Sequence, residues 1–149
     1  MCGRVYSTVP SRYCPGVAQK RYFTPDEANE LLPAVRALAE RMVGHRTALA
    51  EAQQRYSEFL EAIGGNGGGL QPSEFAKAQQ QVEQEAAGVA RCVEGIHELG
   101  GIVKDLDDGL IDFLAKRDGE EVLLCWRLGE HEVGHWHGLE EGFAGRKPL

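Results

Sequence analysis

The stretch from Cys125 to Gly138 reads CWRLGEHEVGHWHG and concentrates side chains that can bind metal ions. It contains one cysteine and three of the five histidines of the chain, namely His131, His135 and His137. Thiolate and imidazole groups are typical zinc ligands, and iron accepts them together with carboxylates. The nearest carboxylates in apolar surroundings are those of Asp105 and Asp112, which precede this stretch. A metal site therefore requires a fold that brings these distant groups together.

Two long amphipathic helices are predicted before this region. In RYFTPDEANELL, Thr24 can act as the N-cap, Pro25 as the first helical residue and Glu27 as the residue that closes a capping box. Apolar residues then recur every three or four positions over about residues 24–63, with His45 as a polar member of the seam. GGNGGG ends this helix as a turn or flexible tip, and a second helix is predicted over about residues 73–100, where Glu85 interrupts the apolar stripe. The two helices should form a long antiparallel hairpin.

The pattern changes after residue 100. Three apolar runs, at about 102–107, 110–117 and 120–128, are separated by Asp108-Gly109 and by Asp118-Gly119. Asp-Gly between apolar runs is a strong β-hairpin signal. We predict an α+β fold in which the helical hairpin packs on a small three-stranded antiparallel β-meander at about 102–128. An irregular C-terminal tail follows, with one short extended piece around residues 135–137.

Two-residue turns at both Asp-Gly pairs would fix the strand register. Arg117 would then pair with Glu120, and Asp105, Asp112 and Cys125 would form one row on one face of the sheet. The opposite face would pack on the helices, with Ile102, Leu106, Ile111, Phe113, Val122, Leu124 and Trp126. Carboxylates directly opposite one another are destabilising unless a cation or another group compensates them.

This row defines the candidate site. If the 135–137 segment is extended and folds over the row, Asp105, Asp112, Cys125 and His137 are the candidate ligands of Zn or Fe. Glu130 could then be a general base or an orienting partner, His135 a second supporting residue, and Arg146 an anchor for an anionic group. Two other interpretations stay open at this point: a structural Asp–His or Asp–Arg network without metal, and a row of polar residues that is simply solvated.

Length and charge limit the classes of protein. The chain has 149 residues, which suits one domain over 21–149 preceded by a mobile leader at 1–20. Its 16 Lys and Arg against 23 Asp and Glu give a net charge of −7, which argues against a nucleic-acid partner. The four cysteines lack the spacing of a disulfide scaffold, and no apolar run approaches the roughly 20 residues that cross a bilayer. We expect reduced thiols, no membrane span and a cytoplasmic location.

Three long motifs resemble one known family. RYFTPDEANELLPAVRAL, GGIVKDLDDGLIDFLAKRDGEEVLLCWRLGE and HWHGLEEGFAGRKPL are similar to the bacterial family known as domain of unknown function 2203, from about residue 20 to the C-terminus. The family more often has an aromatic residue where this chain has His135. The resemblance implies no established activity, substrate or cofactor.

Two functional hypotheses follow, and the sequence leaves the question of enzymatic activity open. The first is a helical-hairpin interaction, regulatory or structural module with a C-terminal polar patch, which would bind a protein partner or self-associate, for example as a homodimer. The second is a metal-binding protein, extending to a metal-dependent enzyme, that uses the Asp/Asp/Cys/His cluster.

Overall fold

The computed structural model describes residues 19–65, 69 and 71–149, which form two helices followed by an antiparallel sheet. The predicted leader lies almost wholly outside these residues, as does half of the glycine-rich tip. The elements are α1 (Pro25–Gly64), α2 (Pro72–Glu98), β1 (Gly101–Asp105), β2 (Leu110–Arg117), β3 (Glu120–Arg127), β4 (His135–Gly138), a short 3-10 turn (Phe143–Gly145) and β5 (Lys147–Pro148). The predicted α+β class is confirmed.

Helix α1 begins where the capping signal placed it. The Glu27 N–H donates to the Thr24 hydroxyl at 3.2 Å, and the Thr24 N–H donates to the Glu27 carboxylate at 2.9 Å. This reciprocal pair satisfies two backbone donors that the first turn of a helix cannot satisfy internally. The predicted capping box is confirmed.

The two helices pack side by side in opposite directions. His45 of α1 contacts Glu85 of α2, whereas Tyr56, later in α1, contacts Phe75, which is earlier in α2. The polar interruptions of the two apolar stripes therefore meet each other, with His45 Nδ1 and Glu85 Oε2 separated by 2.7 Å. The seam prediction is wrong at its distal end, because Ile63 is 58% exposed. Ile63 lies in the last turn of α1, at the end of the hairpin where the chain connects α1 to α2.

A glycine of α2 makes room for the His45 imidazole. A Cβ atom on Gly88 would lie only 2.5 Å from His45 Nδ1. Replacing Gly88 by alanine should therefore destabilise the protein by about 1–2 kcal/mol, although alanine is the better helix former by about 1 kcal/mol. Gly44 of α1 is the matched control because a Cβ there would meet nothing within 4 Å. Gly44→Ala should stabilise the protein by up to about 1 kcal/mol, and urea unfolding that gave both variants the same sign would contradict this packing.

The sheet has five strands in sequential order, not the three predicted. The predicted extended piece is β4, which pairs with β3, and the tail predicted to be irregular adds β5. Sequence periodicity could not show that the extended piece joins the sheet or that β5 forms, because β4 has four residues and β5 only two. One face of the sheet packs on the helices through Ile111, Phe113, Ala115, Val122, Leu124 and Trp126.

The start of α1 packs on the sheet and on the loop between β3 and β4. Phe23 contacts Phe113 edge to face, with ring centroids 5.5 Å apart. The Asn29 side chain accepts a hydrogen bond from the Val133 N–H at 2.7 Å. Within the described residues, neither helix is long and apolar enough to cross a membrane.

Candidate metal centre

The hairpin of β2 and β3 carries the first two residues of the site. Asp118 and Gly119 both have positive φ, as a type I′ turn requires, and Arg117 pairs with Glu120 as predicted. This register places Asp112 directly opposite Cys125. That part of the predicted row is confirmed.

The position predicted for Asp105 is wrong. Asp105 pairs with Leu110, while Ile102 is the residue opposite Asp112. The cause is the Asp105 carboxylate, which accepts hydrogen bonds from the N–H groups of Asp107 at 2.9 Å and Asp108 at 2.8 Å. Such a side-chain-closed turn replaces the expected two-residue turn and shifts β1.

The shift places Ile102 and Val103 on the faces of the sheet opposite to those predicted. Val103 pairs with Ile111 and packs against the helix-facing core, whereas Ile102 lies in the row of Asp112. Asp105 therefore caps a turn and does not face a second carboxylate across the strands.

Strand β4 supplies the third residue. His137 lies opposite Leu123, one step along from the Asp112–Cys125 row, and its imidazole reaches diagonally to Asp112. The distance from His137 Nε2 to Asp112 Oδ2 is 3.1 Å. One ligand atom each from Asp112, Cys125 and His137 lies within 4.8 Å of the other two, and all three residues are buried. The structure thus brings together three of the four predicted ligands.

Hydrogen bonding fixes the His137 imidazole. Its Nδ1 lies 2.8 Å from the Gly138 carbonyl oxygen, which can only accept, so Nδ1 carries the proton and donates. Nε2 is then the nitrogen that faces the carboxylate. The Gly138 N–H donates to Glu141 at 2.7 Å, which holds the backbone that orients the ring. Glu141 was missed by the sequence analysis, since its contact depends on the turn after β4.

The surroundings of Cys125 keep its thiol protonated. Burial, the negative charge of Asp112 and a hydrogen bond with that carboxylate together raise the pKa of Cys125 to about 12, while the charge of Arg146 opposes them. Asp112 Oδ1 is buried and has no hydrogen-bond partner among the residues that the structure describes. A buried carboxylate oxygen without a partner is costly, so this arrangement favours a cation at the cluster.

The predicted supporting residues form a separate network beside the cluster. Arg146 donates to the Glu130 carboxylate at 2.7 Å and to the Cys125 carbonyl oxygen at 3.3 Å. The Arg127 N–H also donates to Glu130, at 2.8 Å. His135 lies directly opposite Cys125 across the strands, and its buried Nδ1 has no hydrogen-bond partner in the described part of the chain. Arg146 therefore pairs with a carboxylate of its own chain, and its predicted role as an anchor for an anionic group stays a prediction.

This network predicts acid sensitivity. Burial alone would raise the pKa of Glu130, but the hydrogen bonds from Arg146 and the Arg127 N–H, together with the Arg146 charge, lower it below its usual value. A lowered folded-state pKa gives stability that is present above the unfolded pKa of about 4.3 and is lost as the pH falls through the folded value.

We expect Glu130→Gln to lower the free energy of unfolding by about 1 kcal/mol at pH 7 and by less at pH 3. Urea unfolding at both pH values measures this difference. If Glu130→Gln lowered the free energy of unfolding equally at pH 3 and at pH 7, this would contradict the ion pair of Glu130 with Arg146.

The fold and the cluster define an α+β protein in which a helical hairpin packs on one face of an antiparallel sheet that carries a buried Asp–Cys–His group. Residues 21–149 match the family described as uncharacterized conserved protein (DUF2203), and the chain belongs to this family. No curated protein and no solved structure matches the chain.

Proposed function

We propose that the protein binds one divalent transition-metal ion, with zinc as the first candidate, through Asp112, Cys125 and His137. The observation that carries this proposal is the convergence of three buried ligand atoms within 4.8 Å of one another. Carboxylate, thiolate and imidazole together form a donor set typical of zinc, and iron is the second candidate.

The spacing supports a shared metal. Zinc bonds of about 2.0–2.1 Å to nitrogen and oxygen at a tetrahedral angle put those two atoms about 3.3 Å apart. The observed separation of His137 Nε2 and Asp112 Oδ2 is 3.1 Å. Small side-chain adjustments would therefore suffice for both groups to bind one ion.

The orientation of His137 supports the same conclusion. Because Nδ1 donates to the Gly138 carbonyl, Nε2 offers either a second proton or a lone pair to the cluster. A metal ion would bind the lone pair of Nε2, replace the thiol proton of Cys125 and pair with the negative charge of Asp112. A backbone carbonyl that fixes the other ring nitrogen is the usual second partner of a metal-binding histidine.

A more specific proposal is that the protein is a metal-dependent enzyme. Three protein ligands leave a fourth position for water or substrate, as in catalytic zinc sites. Glu130, however, is held by Arg146 and the Arg127 N–H, so its carboxylate is already engaged. The geometry thus gives more support to metal binding than to general-base catalysis by Glu130.

A pair of isosteric variants tests the proposal. Asp112→Asn should lower zinc affinity by more than roughly 100-fold, whereas Asp105→Asn should leave it unchanged because Asp105 lies in the turn. Without metal, Asp112→Asn should not destabilise the protein, since it removes a buried charge with an unpartnered oxygen. Calorimetric titration with zinc and urea unfolding of the metal-free proteins measure both effects. Two results together would instead indicate a structural Asp–His pair. The parent would bind no zinc, and Asp112→Asn would be strongly destabilised without metal.

Self-association is the second candidate function. It is supported by two large apolar side chains exposed at the end of the hairpin where α1 connects to α2, Leu60 at 49% and Ile63 at 58%. We propose that this end pairs with a second copy of the chain. Sedimentation of the parent and of a Leu60→Lys, Ile63→Lys variant tests this: the parent should dimerise and the variant should not. A parent that stays monomeric across micromolar concentrations would contradict the proposal.

A further inference from the structure

A small pocket lies on the other side of the sheet from the metal cluster, beside the start of α1. Its volume is about 120 Å³, and its apolar walls include Phe23, Ala115, Val122, Leu124 and Trp136. Val122 and Leu124 belong to the helix-packed face, while Leu123 and Cys125 alternate to the opposite face. The pocket and the metal cluster are therefore separate sites.

Arg117 contributes a positive charge to the pocket. It lies opposite Glu120 across the hairpin, yet among the described residues it forms no ion pair. Its guanidinium instead lies over the Trp136 ring, 4.8 Å from the centroid. A cation–π contact of this kind does not use up the N–H donors of a guanidinium, and those donors match the geometry of a planar carboxylate.

Lys116 also borders the pocket, but its side chain alternates to the opposite face of the sheet from Ala115 and Arg117. The carboxylate opposite it, that of Glu121, accepts hydrogen bonds from Lys20 at 2.9 Å and from the Tyr22 hydroxyl at 2.6 Å. The Lys116 ammonium lies over the Tyr22 ring, 4.5 Å from its centroid. Lys116 is thus directed to Tyr22 on the other face, and Arg117 supplies the positive charge at the rim of the pocket.

We propose that this pocket binds a small monocarboxylic acid, whose apolar body enters between Phe23 and Trp136 while its carboxylate pairs with Arg117 at the rim. The pocket volume limits the size of the apolar part of the acid. For comparison, a cavity of about 150 Å³ holds benzene. A pocket of 120 Å³ is smaller than that and therefore suits a short branched chain. Apolar walls with a few oriented polar groups are typical of small-molecule sites.

Isovalerate and its neutral isostere isovaleramide are suitable probes. Titration of the full chain, followed by NMR at the indole N–H of Trp136, should show isovalerate binding at least tenfold more tightly than isovaleramide. Arg117→Gln should remove this preference. The control is Arg127→Gln, since Arg127 also lies over an aromatic ring, Phe143, but not in the pocket.

The control should bind isovalerate as the parent does. Both arginines are exposed, so both variants should fold. Equal binding of acid and amide, no binding of either, or an equal loss in the two arginine variants would overturn the proposal.

Discussion

Replacing His137 by alanine is expected to lower zinc affinity by more than roughly 100-fold, because even changes to the outer partners of metal ligands cost 10–100-fold. The side chain is buried, and its Nε2 faces Asp112 at 3.1 Å. Zinc should raise the thermal midpoint of the parent protein, since a ligand that binds only the folded state stabilises it, and this shift should vanish in the variant. Calorimetric titration and thermal unfolding with and without zinc measure both effects.

His131→Ala is the matched control for this experiment. The His131 side chain is exposed in the loop before β4, and only its backbone carbonyl is engaged, by Arg36. Cys125→Ser provides an independent ligand variant if His137→Ala does not fold. A His131 variant that lost as much affinity as His137→Ala, or a zinc response retained in both ligand variants, would contradict the assigned ligands.

Trp126→Ala is expected to cost about 3–5 kcal/mol of stability, the usual range for deleting a large buried aromatic side chain. Trp126 is fully buried, and its indole N–H donates to the Glu130 carbonyl at 3.1 Å. The Arg36 guanidinium lies 5.2 Å from the Trp126 ring centroid, so the same side chain connects the sheet to α1. Urea unfolding followed by circular dichroism measures the loss.

Leu139→Ala serves as the reference for a surface change. Leu139 is 51% exposed, so its truncation should alter stability by at most about 0.5 kcal/mol. If Trp126→Ala lowered stability by as little as this, the buried side chains of β3 would contribute little to the stability of the fold.

Local signals made much of the fold predictable. Thr24, Pro25 and Glu27 defined the start of α1, because a capping box depends only on residues within one turn. Asp118-Gly119 defined the β2–β3 register, and with it the pairing of Asp112 and Cys125. The chemistry of a two-residue turn determines register wherever no other group competes for the backbone.

Other features depended on contacts that the sequence does not encode locally. The Asp105 carboxylate competed for the backbone of the first turn and displaced the register of β1. The stretch Asp105 to Asp108 could have signalled this, since Asp commonly closes turns with its side chain. The choice between His135 and His137 depended on the pairing of β4 with β3 across a long loop. Register alone would favour His135, which lies directly opposite Cys125, whereas the diagonal reach of His137 appears only in the folded chain.

The metal content of the protein tests the central claim most directly. The protein should be purified without a histidine tag, supplied with zinc, iron and manganese in turn, freed of loosely bound ions and measured by elemental analysis. The cluster of Asp112, Cys125 and His137 predicts about one equivalent of zinc or iron per chain, reduced to background in Cys125→Ser. A content below roughly a tenth of an equivalent under all three supplies would contradict the account.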